Sequence, residues 1–227
     1  MPATVEHIID SDEAPAVRGF LHRAAEPSGD GLVLTHGAGG SCDAPLLVAL
    51  AGALADSGFS VLRCDLPFRQ ARPHGPPRGS GGEDRDGLRR ALDALRKFAP
   101  GRVFMGGQSY GGRQATMLAA EDTSLTDGLL VLSYPLHPPG KPTQLRAQHL
   151  PNIRVPSLFV SGSKDPFGSP AEIQSALRLI PASVTFLLID GAGHDLGFGR
   201  RVGKGMQDVP LRIVRAFLDG PGLKPPL

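Results

Sequence analysis

Val103-Phe104-Met105-Gly106-Gly107-Gln108-Ser109-Tyr110-Gly111-Gly112-Arg113 is the stretch on which the reading of this chain turns. It contains G-x-S-x-G as Gly107-Gln108-Ser109-Tyr110-Gly111. The β-rich run Arg102–Met105 precedes it and a helical pattern, Arg113–Ala120, follows. A chain that passes from strand to helix in so few residues has no room for side chains in the turn, so glycines flank the serine. Ser109 then stands exposed on a strained turn at a helix N-terminus, whose dipole favours negative charge. The plainer alternative is a glycine-rich turn with an incidental serine.

The same alternation of short β-rich runs and helical patterns extends both ways. Thr4–Ile9 and Ala16–Arg23 predict a strand pair. Gly31–Leu34, Phe59–Arg63, Leu129–Leu132, Ser157–Val160 and Val184–Ile189 predict further strands. Helical patterns cover Pro45–Ala55, Leu88–Phe98, Ala171–Leu179 and Val209–Leu218, with a short helix expected over Thr143–Leu150. Apolar runs buried on both faces and separated by helices predict an α/β fold of three layers, α/β/α, around a mainly parallel sheet of about eight strands. Only 24 residues separate Leu132 from Ser157, four of them prolines by Pro142, which leaves no room for an inserted lid domain. Residues 1–219 are expected to form one domain and 220–227 a frayed tail.

A serine needs a base, and the base an orienting acid. His194 lies in Ile189-Asp190-Gly191-Ala192-Gly193-His194-Asp195, just after the last predicted strand, and Asp165 lies in Val160-Ser161-Gly162-Ser163-Lys164-Asp165, just after the strand before it. Both loops open at strand carboxyl ends, where open α/β sheets bind ligands. Asp190 and Asp195 are the competing acids. Asp190 ends its strand, and Asp195 adjoins His194 and should point away. A carbonyl under attack also needs two N–H donors for its developing oxyanion. Tyr110, after the serine, is expected to supply one. Ala38, in Leu34-Thr35-His36-Gly37-Ala38-Gly39-Gly40, is expected to supply the other. A phosphate-binding reading of that loop fails on its glycine spacing and on the lack of a following lysine.

Candidate substrate contacts are Gly39 in that loop, Arg69 and Arg72 after the strand Phe59–Arg63, and His137 after another strand. With His74 and Arg78 nearby, the guanidinium groups suit a carboxylate or phosphate; a solvated basic loop and a turn histidine are the plain alternatives. The other features mark exclusions. The chain has 227 residues, a net charge of +2, 30 glycines and 22 prolines. That charge balance gives no reason to expect nucleic acid or a membrane surface as partner. No apolar run is long enough to span a bilayer, and Met1–Asp10 has no signal-peptide pattern. Two cysteines, Cys42 and Cys64, make no disulfide framework, so reduced thiols in the cytoplasm are the expectation. No Cys/His cluster has metal-ligand spacing, and the chemistry calls for no metal or organic cofactor.

LTHGAGG (Leu34–Gly40), GGQSYGGR (Gly106–Arg113), SYPLHPPGKP (Ser133–Pro142), SGSKDPFG (Ser161–Gly168) and GAGHDL (Gly191–Leu196) together carry a resemblance. The chain resembles the α/β-hydrolase superfamily, close to its small, lidless, dienelactone-hydrolase-like members. More narrowly it is similar to the group containing the human testis-expressed hydrolase-like protein and the hydrolase-like subunit of the nonspecific-lethal chromatin complex. SYPLHPPGKP is the most group-specific segment. Dienelactone hydrolases proper use a cysteine nucleophile where this chain has Ser109, so their substrate does not carry over. The chain order Ser109, Asp165, His194 is that of the superfamily. The expectation is a serine hydrolase that cleaves a small ester or thioester, with or without an anionic group, through these three residues. A peptidase or acyltransferase would use the same machinery. The chromatin-complex relative adds a third alternative, a non-catalytic interaction module.

Overall fold

A computed structural model describes residues 3–199 and 201–220. Eight strands form one sheet: β1 (Thr4–Asp10), β2 (Val17–Arg23), β3 (Gly31–Thr35), β4 (Ser60–Cys64), β5 (Val103–Gln108), β6 (Leu129–Leu132), β7 (Ser157–Gly162) and β8 (Val184–Ile189). Their spatial order is β1-β2-β4-β3-β5-β6-β7-β8. β2 is antiparallel to both β1 and β4, and every pairing from β4 to β8 is parallel.

The period of two along each strand divides the core between two faces. Leu32, Leu34, Phe104, Leu130, Leu132, Leu158 and Val160 face α1 (Pro45–Asp56) and α6 (Val209–Asp219), packing on Leu46, Leu50, Leu54, Ile213 and Phe217. Val33, Val103, Met105, Leu129, Val131 and Phe159 face the opposite way. They pack under α3 (Gly82–Arg96), α4 (Tyr110–Glu121) and α5 (Pro170–Leu177) through Leu88, Leu92, Leu95, Leu118 and Ile173. Helices cover both faces because the central strands are apolar on both. The three-layer fold is therefore as the sequence predicts.

Three elements differ. Pro67–Ala71 forms a one-turn helix, α2, which a five-residue segment cannot signal by periodicity. α3 begins at Gly82, six residues before the predicted start, because Glu83 and Asp84 in its first turn suit a helix N-terminus though they carry no apolar pattern. Thr143–Leu150 is not a helix. Its backbone is held by tertiary bonds instead, Arg146 N–H to the Leu136 carbonyl at 2.8 Å and the Tyr134 hydroxyl to the Arg146 carbonyl, and only a 3-10 turn, Leu150–Asn152, follows. Among the described residues no inserted lid separates β6 from β7, and no helix is long and apolar enough to cross a membrane. The expected tail lies, Gly220 apart, outside the described residues.

Candidate active site

β5 hands the chain to α4 through Ser109, whose φ of 52° and ψ of −114° lie where non-glycine residues are rare. Its N–H donates to the Leu132 carbonyl at 2.8 Å, which seats the turn against the end of β6. Gly111 shows why the turn needs glycine, since a Cβ there would lie 2.6 Å from the His36 carbonyl oxygen.

β7 and β8 run parallel, with Gly162 opposite Ile189, so the loops after them open at one edge. They bring Asp165 and His194 to the serine. His194 Nδ1 lies 2.8 and 3.0 Å from the two Asp165 carboxylate oxygens, and Nε2 lies 2.8 Å from Ser109 Oγ. A carboxylate only accepts, so Nδ1 carries the proton and Nε2 presents its lone pair to the serine hydroxyl. The Asp165 side chain is buried. Phe167 donates its N–H to Asp165 Oδ1 at 2.9 Å and lays its ring 4.1 Å from the imidazole, holding the acid and the base together. The competing acids are engaged elsewhere. Asp190 accepts from the Ser163 hydroxyl, and Asp195 from the Gly197 N–H. A hydroxyl on an imidazole that is itself held by a carboxylate is the arrangement that activates a serine for acyl transfer.

The loop Gly37–Gly40 runs against the serine, since a Cβ on Gly37 would sit 3.4 Å from the Ser109 Cβ. The Gly111 N–H donates to the His36 carbonyl at 3.2 Å, which joins the root of this loop to α4. His36 is fully buried. Its Nε2 accepts the Leu66 N–H at 3.2 Å, so its Nδ1 carries the hydrogen and donates to the Gly37 carbonyl at 2.8 Å. Burial holds the His36 pKa below its usual range, in keeping with a neutral ring. Gly37 C=O and Ala38 N–H share one planar trans peptide, so fixing the carbonyl fixes the N–H pointing away from it. Tyr110 opens α4, where a helix leaves its N–H without an intrahelical partner.

Residues 29–219 match the family model described as an alpha/beta hydrolase domain. The chain belongs to this family. Solved alpha/beta hydrolase structures superpose along nearly its whole length. A dienelactone hydrolase from Anabaena variabilis has a TM-score of 0.77 at 21% identity, covering 97% of this chain and 99% of its own. An alpha-beta serine hydrolase homologue from Coxiella burnetii has 0.74 at 17%, covering 92% and 96%. A serine hydrolase without a lid from Xanthomonas campestris has 0.67 at 19%, covering 97% and 98%. At such identities the likeness is one of fold.

The four expected substrate contacts separate in this alpha/beta hydrolase. Gly39 is exposed and borders a cavity of about 360 Å³ with Ala38, Pro73, His74 and Pro76. Arg72 is half-buried and donates to the Pro76 carbonyl at 3.0 Å, beside that cavity. Arg69 touches the cavity but is not the free cation expected. It is buried, and four of its five N–H donors go to backbone carbonyls of Gly40, Ala38, Arg72 and Gly75. His137 is not at the serine among the described contacts. Its buried ring donates from Nδ1 to the Pro138 carbonyl at 2.9 Å and faces Glu172 of α5 at 3.6 Å, because its backbone N–H is drawn to the Phe167 carbonyl beneath the acid loop. Cys42 and Cys64 are buried free thiols, and burial pushes the Cys42 pKa up to about 12. Sequence reasoning missed His36, Phe167 and Asp84. Of these only His36 left a trace, as a polar residue inside an otherwise small-residue loop.

Proposed function

We propose that this alpha/beta hydrolase is a serine hydrolase that cleaves a small ester or thioester. The observation that carries the reading is the unbroken chain from Ser109 Oγ through His194 to Asp165, with all contacts between 2.8 and 3.0 Å. Ser109 attacks the carbonyl carbon while His194 Nε2 takes the hydroxyl proton. His194 then returns that proton to the leaving group, and water releases the acyl group by the same route. Asp165 keeps the imidazole in the tautomer whose lone pair faces the serine, and stabilises its cation. The Tyr110 and Ala38 N–H groups hold the oxyanion, a contribution of roughly 3–4 kcal/mol per donor in comparable sites. The chemistry needs no metal or organic cofactor.

The lidless edge favours small substrates over interfacial lipids. Arg72 and His74, at the rim of the cavity beside Ala38, suit a substrate with an anionic group. The narrower kinship with the testis-expressed and nonspecific-lethal-complex group rests on SYPLHPPGKP, Ser133–Pro142. Two buried free thiols fit a reducing cytoplasm. On this reading residues 1–219 form one domain that bears the site, and its substrate is a small molecule rather than nucleic acid or a membrane.

The test is labelling by a fluorophosphonate probe, with turnover of short-chain p-nitrophenyl esters alongside. Wild type should label and turn over, and Ser109→Ala should do neither. A folded wild type that does not label would sink the hydrolase reading and favour a binding module.

A further inference from the structure

The geometry points to Arg69 as the residue that positions the oxyanion donor Ala38, a role that rests on the hydrolase reading above. Three of the four residues Gly37–Gly40 are glycine, and a Cβ on Gly39 would meet nothing within 4 Å. A loop of that composition has large conformational freedom and no packing at its tip. A preorganised oxyanion site needs the opposite, a donor that does not reorient as charge develops. Something must therefore restrain the tip.

Arg69 does so from α2. Its Nη2 donates to the Ala38 carbonyl and its Nε to the Gly40 carbonyl, each at 2.8 Å. Among the described residues, no other side chain hydrogen-bonds Ala38 or Gly40. The Ala38 carbonyl lies on the peptide after Ala38, and the Gly37 carbonyl, held by His36 Nδ1 and the Gly40 N–H, lies on the peptide before it. Ala38 thus sits between two fixed peptide planes, and its N–H can turn only if one of them moves. Nη1 donates to the Arg72 carbonyl and Nη2 also to the Gly75 carbonyl, each at 3.2 Å, which ties the far wall of the cavity to the same cation.

The composition of this clamp explains why the residue is arginine. No carboxylate lies within 4 Å of the guanidinium among the described residues, so carbonyl dipoles and the Phe68 ring, 5.0 Å away, replace the water that burial removes. Four acceptors on two loops match a planar fork of five donors. They do not match an ammonium, whose three donors diverge from one nitrogen. Arg69 acts in this role as a positioning residue, through the Ala38 and Gly40 carbonyls it holds.

The experiment uses the full chain and first labels wild type and Ser109→Ala with a fluorophosphonate. A wild type that does not label overturns the hydrolase reading and this role with it. With labelling established, Arg69→Lys is compared with wild type on p-nitrophenyl acetate, counting active sites by the probe. We expect kcat per labelled site to fall roughly 10- to 100-fold, as for a slightly misplaced group. KM should stay within about twofold, because the donor acts on the transition state. Affinity for a trifluoromethyl ketone, whose serine adduct carries an oxyanion, should fall by the same factor as kcat. An arginine that only supports the fold would lower the melting temperature or the number of labelled sites and leave both ratios alone. A folded Arg69→Lys with wild-type kcat per site, or with its loss confined to KM, overturns the role while the hydrolase reading stands. Arginine side-chain 15N NMR on wild type covers a variant that does not fold. The Arg69 Nε–H should be protected from exchange by at least roughly tenfold relative to exposed Arg78, and equal exchange overturns the proposal.

Discussion

The Tyr110 hydroxyl donates to Asp84 Oδ2 at 2.6 Å, and Oδ1 of the same buried carboxylate accepts the Phe68 N–H at 3.0 Å. One side chain at the start of α3 therefore ties the first residue of α4 to α2. The Tyr110 and Phe68 rings meet edge-on at 5.5 Å, and Phe68 meets His36 at the same distance. The residue after the serine, the root of the glycine loop and the helix that bears Arg69 are thus packed as one unit behind Ser109.

Removing the tyrosine hydroxyl tests that unit. Tyr110→Phe leaves Asp84 Oδ2 buried without its donor, an omission that costs about 1–3 kcal/mol. Urea unfolding should show a lower midpoint at unchanged slope. A variant as stable as wild type would mean that the carboxylate has another donor.

Asp165→Asn tests the orientation of the base. An asparagine amide can present its N–H to His194 Nδ1, which then accepts and leaves the proton on Nε2, facing the serine. On the hydrolase reading kcat should fall roughly 10³- to 10⁴-fold, as when the acid of a comparable triad is amidated. KM should change little. Steady-state turnover of a short-chain ester at pH 7.5 measures both, and a loss under tenfold would remove Asp165 from the role.

Two glycines of the candidate site should respond oppositely to alanine. At Gly111 a methyl group would meet the Thr35 Oγ1 and, at 2.6 Å, the backbone carbonyl of His36, and the backbone carbonyl cannot yield as a side-chain tip can. Overpacking of this kind costs about 1–3 kcal/mol or more. At Gly39 the same methyl group meets open space. Thermal melts of Gly111→Ala and Gly39→Ala should separate clearly, the first well below wild type and the second close to it. Equal melting temperatures would contradict the packing at the turn.

What the sequence made legible divides along a physical line. Ser109, Asp165 and His194 each follow an apolar strand within a glycine-marked turn, so local pattern and strand-end position suffice to find them. The strands were readable because Leu130, Val131 and Leu132 are apolar on both faces, and a parallel sheet buries both. Arg69 reads in the sequence as a cation free for a substrate anion, because the carbonyls of Ala38 and Gly40 that occupy it lie about 30 residues away in the chain. His137 was misplaced by its proximity in sequence to β6, since the pull of Phe167 on its backbone is a contact across 30 residues. Asp84 carried no signal at all. An acidic residue in a helical first turn reads as a dipole partner, and only the approach of Tyr110 and Phe68 makes it a buried junction. In each of these cases tertiary partners, absent from any local window, decide what the side chain does.

Acid sensitivity should appear before the carboxylates titrate. His22 is buried on β2, and its Nε2 accepts the Arg63 Nε–H at 2.8 Å, a bond that only the neutral ring can accept. Burial first, and the Arg63 charge second, bring its pKa from 6.5 down to about 4. His149, packed between α4 and Tyr134, is likewise lowered to about 4, chiefly by burial. The unfolded chain takes up these protons near pH 6.5, whereas the folded chain waits until about pH 4. Stability is therefore whole above pH 6.5 and is lost as pH falls toward 4. Asp10, Asp122 and Glu172 are held below their ordinary carboxylate values by hydrogen bonds to Lys97, Arg89 and Ser169, so their losses start only as pH falls to those ordinary values, at the acid edge of this window, and continue below it. For His22 the loss at pH 4.5 is on the order of 2–3 kcal/mol. His22→Gln keeps an acceptor for Arg63 and removes the titration. Urea unfolding at pH 7.5 and 4.5 should show wild type losing about 2 kcal/mol more than the variant between the two conditions. An equal loss in both proteins would mean that His22 is already free to take its proton in the folded state, and that Arg63 of β4 is held by Cys42, Asp43 and the Phe20 ring without it.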